Sequence, residues 1–376
     1  MNQDQLELRQ HIEKFRLDQI EPFCEEDDAN ENFRMEIYKA IGEMGLAGIP
    51  ISENYGGAGL KYEDFCYVLE ELAKSSVSYA VTLSVSTMVQ EIIELFGTEE
   101  QKNKFLPELT SGEGIGAFCL SESSSGSDAA ALKTTAKEVE GGYEINGQKM
   151  WITSGGIAKT YLVMARTGEE GAKGISAFIV PSDTPGLSFG KKEKKMGWKV
   201  SPTREVVLEK CVVPKENILG NLGDGFKVAM KALDRGRITI GSIAVGLATR
   251  ALDESVKYSL EREQFKKAIF DFQGIQFMLA EMATETMAAR SLVKEAAVSF
   301  DAGENNQMLS AMAKLKSTDV AMKVTTDAVQ ILGGVGYTSE YPVERFMRDA
   351  KVLQIVEGTN QIQKVVISRN LKQKFS

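Results

Sequence analysis

The sequence predicts an α+β chain in which helices occupy both ends and an antiparallel β-barrel or sandwich lies between them. Three observations carry this. Apolar residues recur at helical spacing from Leu6 to about Leu109, and again from Gly225 to the end. Between about Ile115 and Pro214 the texture is different, with short β-favouring runs punctuated by Gly, Pro and Ser. Strands and helices do not alternate, so a doubly wound nucleotide-binding sheet is not expected. The division reads as residues 1–114 helical, 115–222 β, and 223–376 a helical bundle.

In the first zone, Phe33 to Leu46 shows helical spacing. Pro50 to Leu60, with Tyr55-Gly56-Gly57-Ala58-Gly59, is a turn-rich interruption. Helical spacing resumes over Tyr62 to Lys74 and Val89 to Phe96. The β zone offers runs at Ala117–Leu120, Leu132–Val139, Tyr143–Ile145, Tyr161–Ala165, Ile175–Val180 and Glu205–Leu208. Asn146-Gly147 after the third run reads as a tight hairpin turn. In the last zone Ile275, Met278, Leu279, Met282, Ala289, Leu292 and Val293 mark one buried helical face. A second long helix, Met308 to Leu332, stops at Gly333-Gly334. Long helices with apolar stripes predict a four-helix bundle.

Composition narrows the chemistry. Lys plus Arg is 44 against 53 for Asp plus Glu, a net charge of −9, which argues against general nucleic-acid binding. The single histidine, His11, excludes a Ser-His-Asp triad and a His-rich metal site. The four cysteines, Cys24, Cys66, Cys119 and Cys211, are scattered without a C-x-x-C pair, so neither a disulfide frame nor a zinc site is expected. The apolar stretch Ile238–Ala248 is far shorter than the ~20 residues of a membrane span. With a polar N-terminus that lacks a signal-peptide core, a cytoplasmic location is expected.

Five constellations can carry chemistry, and each has a plainer reading. Phe118-Cys-Leu-Ser-Glu-Ser-Ser-Ser-Gly-Ser-Asp128 is a strand entering a polar turn that can meet a phosphate or ring edge, or is simply a polar β-turn. Met150-Trp-Ile-Thr-Ser-Gly-Gly156 sets an indole beside a hydroxyl, as a ring platform or a core tryptophan. Arg262-Glu-Gln-Phe265 with Gln273 suits a phosphate plus a ring, or is a solvated helix end. Gln330-Ile-Leu-Gly-Gly334 permits close backbone approach, or is a helix stop. In Gln354-Ile-Val-Glu-Gly-Thr-Asn-Gln-Ile-Gln363, Glu357 lies in an apolar context ahead of a helix that Thr359 caps. That glutamate is either reactive or a complement to the helix dipole.

Taken in this order, the five segments resemble the acyl-CoA dehydrogenase family across almost the whole chain. The resemblance implies FAD as cofactor, held between the β zone and the C-terminal helices and completed by a neighbouring subunit. It assigns Phe118, Leu120, Ser121, Ser127, Trp151, Ile152 and Thr153 to the flavin. Arg262, Phe265, Gln273, Gln330, Gly333, Gly334, Thr359 and Gln361 complete the FAD grip. Leu233-Asp-Arg-Gly-Arg237 resembles the substrate segment, so Ser127, Asp234, Arg237, Gly358 and Arg369 are assigned to the acyl-CoA. Glu357 is the implied catalytic base and no metal is implied. Electron-transferring flavoprotein is the implied acceptor, and a homotetramer the implied assembly.

The implied reaction removes a proton from Cα and a hydride from Cβ of a thioester. A base at an ordinary carboxyl value of ~4.3 is weak, and raising it to about 7 costs roughly 3.7 kcal/mol. Burial beside Val356 can impose that rise, while the helix dipole opposes it by only roughly 0.3–1 kcal/mol. The thioester oxygen would be met by the Glu357 backbone N–H and a flavin ribityl hydroxyl. Some family members carry the base on an earlier helix, at the position of Gly236, where glycine cannot act. Ser123, Phe118 and Val356 replace the family's frequent Pro, Tyr and Tyr. The serine-rich first motif and Gly236 point to a short- or branched-chain substrate. Two other readings stay open: a relative with a different electron fate or substrate (an acyl-CoA oxidase or a glutaryl-CoA-type dehydrogenase), and a flavin-bound nucleic-acid-associated relative.

Overall fold

The computed structural model describes residues 3–304 and 307–376. The N-terminal zone comprises α1 (Gln3–Phe15), α2 (Cys24–Asn30), α3 (Met35–Glu43), α4 (Tyr62–Ala73), α5 (Val77–Phe96) and α6 (Glu99–Thr110). α5 is much longer than the predicted Val89–Phe96. Its first half is rich in Ser and Thr, which masks the apolar period, yet it is buried from Val77 to Ile93. The buried hydroxyls are satisfied locally, as buried polar groups must be. Ser84 Oγ donates to Thr239 Oγ1 at 2.7 Å, and Ser86 Oγ accepts from the Gly116 N–H at 3.0 Å. α6 opens with a reciprocal cap between Thr98 and Gln101.

The central zone holds β1 (Gly116–Cys119), β2 (Thr135–Val139), β3 (Gly142–Thr153), β4 (Thr160–Arg166), β5 (Ile175–Pro181), β6 (Leu187–Lys192), β7 (Thr203–Pro214) and β8 (Ile218–Leu219). They form one sheet in the order β6-β7-β3-β2-β4-β5-β8, with β1 also paired to β4. The sheet is antiparallel except where β4 meets β1 and, at Thr135–Arg166, β2.

Asn146-Gly147 is not a turn. It lies inside β3, where the pairing with β7 slips between Ile145 and Gly147. Asn146 Oδ1 accepts from the Lys210 N–H at 2.8 Å across that slip. A glycine within a strand marks a bulge as readily as a hairpin, and the bulge bends β3. The hairpin turn sits instead at Glu140-Gly141, where Gly141 has φ +85°.

The C-terminal zone contains α7 (Gly225–Glu261), a small hairpin of β9 (Glu263–Gln264) and β10 (Lys267–Ala268), α8 (Gln273–Asp301) and α9 (Gln307–Leu332). It ends with α10 (Gly334–Tyr337), α11 (Val343–Leu353) and α12 (Asn360–Phe375). α7, α8, α11 and α12 all pack on α9, while α4 and α5 cover the other side of α7. That explains why Gly236–Ala248 is buried all round. Gly246 lets α4 in: a Cβ there would lie 2.1 Å from the Glu70 carbonyl oxygen. Among the described residues no helix is long and apolar enough to cross a membrane.

Candidate active site

The connection from α11 to α12 is a strained loop that buries a carboxyl oxygen against a helix. Glu357 has φ +53° and Gly358 φ +85°, two left-handed residues in succession. For a non-glycine residue this conformation costs of order 1–3 kcal/mol and persists only where neighbours impose it. The neighbours are visible. Asn360 N–H donates to Gln354 O at 3.0 Å, closing the loop. Gln363 Nε2 donates to the carbonyls of Glu357 (3.1 Å) and Gly358 (2.7 Å). Thr359 Oγ1 accepts from the Ile362 N–H and caps α12.

This loop aims the Glu357 carboxyl at the middle of α7. Gly236 lies directly opposite, where a Cβ would stand 2.7 Å from Glu357 Oε2. Glu357 as a residue is half-buried, but Oε2 is shielded from solvent and makes no hydrogen bond. Burial therefore pushes the carboxyl up to about 7, against the pull of Arg237 and Lys314. An unpartnered buried carboxyl oxygen is costly, and a group poised near neutrality is what proton transfer needs.

Asp234 and Arg237 come from the same turn of α7. Arg237 is buried and its Nη1 donates to Asp234 Oδ1 at 2.6 Å, leaving Nε without a partner. Tyr62, on α4, donates its hydroxyl to the Arg235 carbonyl at 3.1 Å. Gly236, Asp234, Arg237, Glu357 and Gly358 are thus brought into one neighbourhood.

A second group forms where β1 meets β3. Met150 N–H donates to Ser121 O at 2.9 Å, setting Ser121 beside Trp151. Behind them, Lys149 Nζ donates to Leu120 O (3.1 Å) and Glu122 Oε1 (2.7 Å), with both side chains buried. The Glu122 carboxylate also accepts the N–H groups of Lys133 and Thr134, so one buried ion pair pins the 120–134 loop to β3. Trp151 has φ +59° and is 55% exposed, although Ile152 beside it is buried. Next along, Ser154 has φ +63° and a buried Oγ with no partner. A strained backbone presenting an open indole face, next to an unpaired buried hydroxyl, fits a planar ring ligand such as a flavin. Phe118, Leu120, Ser121, Trp151, Ile152 and Thr153 are assembled here, while Ser127 sits in the exposed turn that Ser125 braces.

The remaining predicted residues are not gathered into a site within one chain. Arg262, Phe265, Gln273, Gln330, Gly333, Gly334, Gln361 and Arg369 all lie on exposed surface. Phe265, 88% exposed at φ +51° on the β9–β10 turn, has Phe272 as its aromatic neighbour among the described residues. Sequence reasoning missed Lys149 and Lys314, and gave no role to Glu122, Asn360 and Gln363 although they lie within the segments it singled out. Lys314 left a readable trace: it is a cation on a face of α9 otherwise made of Ser310, Ala313, Ser317 and Ala321.

Three family matches together cover the chain: the N-terminal domain of acyl-CoA dehydrogenases over residues 2–113, the middle domain over 117–211 and the C-terminal domain over 223–372. The mitochondrial isobutyryl-CoA dehydrogenase of Dictyostelium discoideum is 42% identical, covering 99% of this chain and 90% of that protein. The solved butyryl-CoA dehydrogenase of Megasphaera elsdenii is 42% identical with a TM-score of 0.97, covering 99% of this chain and 98% of that one. A chain in a structure described as the electron transferring flavoprotein of Acidaminococcus fermentans, studied for flavin-based electron bifurcation, is 46% identical with a TM-score of 0.97, covering 99% and 98%.

Proposed function

This chain belongs to the acyl-CoA dehydrogenase family, and from that premise we propose that Glu357 is the base that removes the α-proton. The protein is a flavoprotein oxidoreductase that desaturates an acyl-CoA thioester between Cα and Cβ, with FAD as its cofactor. When bound, FAD supplies the two-electron oxidant that takes the hydride from Cβ.

The observation behind the base assignment is the unpartnered Glu357 Oε2, shielded from water and packed against Gly236, where any larger side chain would displace it. At about 7 the group is partly ionised at neutral pH, basic enough to accept a proton yet available in its charged form. A substrate Cα brought against Oε2 meets an acceptor with no other partner. The backbone N–H of Glu357 is suited to receive the thioester oxygen as negative charge develops on it. Arg237 and Lys314 limit how far burial raises the carboxyl, so the base stays usable near neutrality.

Trp151, Thr153 and Ser121 would hold the flavin, while the Lys149–Glu122 pair holds their loop. Ser127, Asp234, Arg237, Gly358 and Arg369 serve the acyl-CoA. The substrate is a short acyl chain, straight or branched; the likeness to butyryl- and isobutyryl-CoA dehydrogenases supports this reading. Electron-transferring flavoprotein is the electron acceptor, which the resemblance to the Acidaminococcus chain supports. A homotetramer is the assembly, in which the exposed Arg262, Phe265, Gln273, Gln330, Gly333, Gly334 and Gln361, with the half-buried Thr359, complete the FAD site of a neighbouring copy; Phe277, Met287 and Leu371 on α8 and α12 are exposed apolar side chains such an assembly would cover.

The test is Glu357→Gln. The variant is expected to keep its yellow colour and bind butyryl-CoA while losing at least about a thousandfold in turnover. Turnover within tenfold of the parent would remove Glu357 from the base role.

A further inference from the structure

α9 buries a lysine under the strained loop. The Lys314 side chain is fully shielded, on a stripe otherwise formed by small residues. Its Nζ donates to Gly358 O at 3.0 Å and to Asn360 Oδ1 at 2.8 Å, so both bonds land on the segment that carries Glu357. Asn360 is itself fixed, donating Nδ2 to Thr318 Oγ1 (3.0 Å) and Asp319 Oδ1 (2.7 Å). Gln354, at the other end of the loop, donates to the same Asp319 oxygen at 2.6 Å. Gln363 grips the loop from α12. The left-handed pair Glu357-Gly358 is therefore clamped at both ends from α9.

A neutral amide can hold a carbonyl, as Gln363 does here, so hydrogen bonding alone does not call for a buried ammonium. What an ammonium adds is charge, and that charge acts on the carboxyl: Arg237 and Lys314 both pull Glu357 down against burial, although burial pushes Lys314 itself down to about 7, so its pull fades as the pH rises through neutrality. We infer that Lys314 is the positioning residue of the base loop, holding Glu357 in its strained orientation through Gly358 and Asn360. This rests on the reading of Glu357 as the base.

The groups that face Glu357 are Arg237 on α7 with its partner Asp234, Tyr62 on α4, and Lys314 on α9 with Asp319 behind it; Glu91 on α5 stands beyond, paired with Arg235. The sign is fixed by that arrangement. Removing the Lys314 charge lets burial raise the Glu357 carboxyl further, so its ionisation moves to higher pH.

Two variants separate charge from bonding. Lys314→Gln keeps donors, and Lys314→Met keeps neither donors nor charge. In the FAD-loaded enzyme, anaerobic flavin bleaching by butyryl-CoA is followed across neutral pH, and amide hydrogen exchange is read over 354–360. Both variants are expected to move the midpoint of the pH profile up by about one pH unit. Lys314→Met is also expected to lose about tenfold or more at the high-pH plateau and to exchange faster over 354–360. An unmoved pH midpoint in both variants, with only lower thermal stability, would overturn the inference while leaving Glu357 in place. Near-normal turnover in Glu357→Gln would overturn both together.

Discussion

A base held in the wrong environment for a charge should make the protein less stable than a neutral substitute would. Glu357→Gln tests this apart from activity. In the folded protein the carboxyl is pushed from its ordinary 4.5 up to about 7. Below 4.5 it is neutral in the folded and unfolded states alike, so the two proteins should then be equally stable. As the pH rises from 4.5 towards 7, the unfolded chain ionises while the folded site resists, and stability is lost. At about 1.36 kcal/mol per pH unit the full loss is about 3 kcal/mol, reached above pH 7. Glutamine has the same shape and no charge, so it escapes the penalty. For 376 residues at roughly 2.1 cal/mol/K each, 3 kcal/mol corresponds to a rise of about 4 °C in Tm. Scanning calorimetry or urea unfolding with excess FAD, done on both proteins at mildly acid and mildly alkaline pH, measures it. The variant should match the parent in acid and exceed it in alkali. An equal difference at both pH values, or a variant less stable in alkali, would refute the argument from burial.

Other expectations follow from the same coordinates. Gly236→Ala puts a methyl group 2.7 Å from Glu357 Oε2, so the carboxyl must move; single-turnover flavin reduction should fall about a hundredfold with the fold intact by circular dichroism. Lys149→Met leaves Glu122 buried without its counter-ion and should destabilise by roughly 3–5 kcal/mol, with faster loss of FAD on gel filtration. Asp349 is buried and pushed up to about 6, and its Oδ1 accepts the Trp198 N–H at 2.6 Å. Asp349→Leu orphans that donor and should lose roughly 1–3 kcal/mol in urea unfolding. Asp349→Asn keeps an acceptor and, lacking the charge that burial opposes as pH rises through 6, should be at least as stable as the parent above that pH.

What the sequence revealed and what it hid can be traced to particular residues. Glu357 and Thr359 were legible because a glutamate amid Ile355, Val356 and Gly358, just ahead of a capping threonine, is out of place on a solvated surface. Long apolar stripes such as Leu279, Met282, Ala289 and Val293 were legible because α8 buries one face. α7 was harder to bound, because it is covered on both sides and its period is lost where Gly236–Ala248 is buried throughout. Asn146-Gly147 misled because the dipeptide suits a turn and a bulge equally, and only the pairing of β3 with β7 decides between them. The support behind the site was illegible for a general reason. Lys149 meets Glu122 across 27 residues and Lys314 meets Gly358 across 44, and nothing local in either segment announces the partner. Phe265 and Gln330 were found as motifs, yet in a single chain both lie exposed, with Phe265 meeting the edge of Phe272.

The central claim is that one shielded carboxyl, at Glu357, takes the α-proton. The most direct measurement isolates that step from the oxidation. With the flavin already reduced, butyryl-CoA is incubated with the enzyme in deuterium oxide and deuterium at Cα is read by mass spectrometry. The wild-type chain should wash deuterium into Cα, and Glu357→Gln should not, while both still bind the thioester. Equal deuterium uptake by the two proteins would show that another group moves the proton.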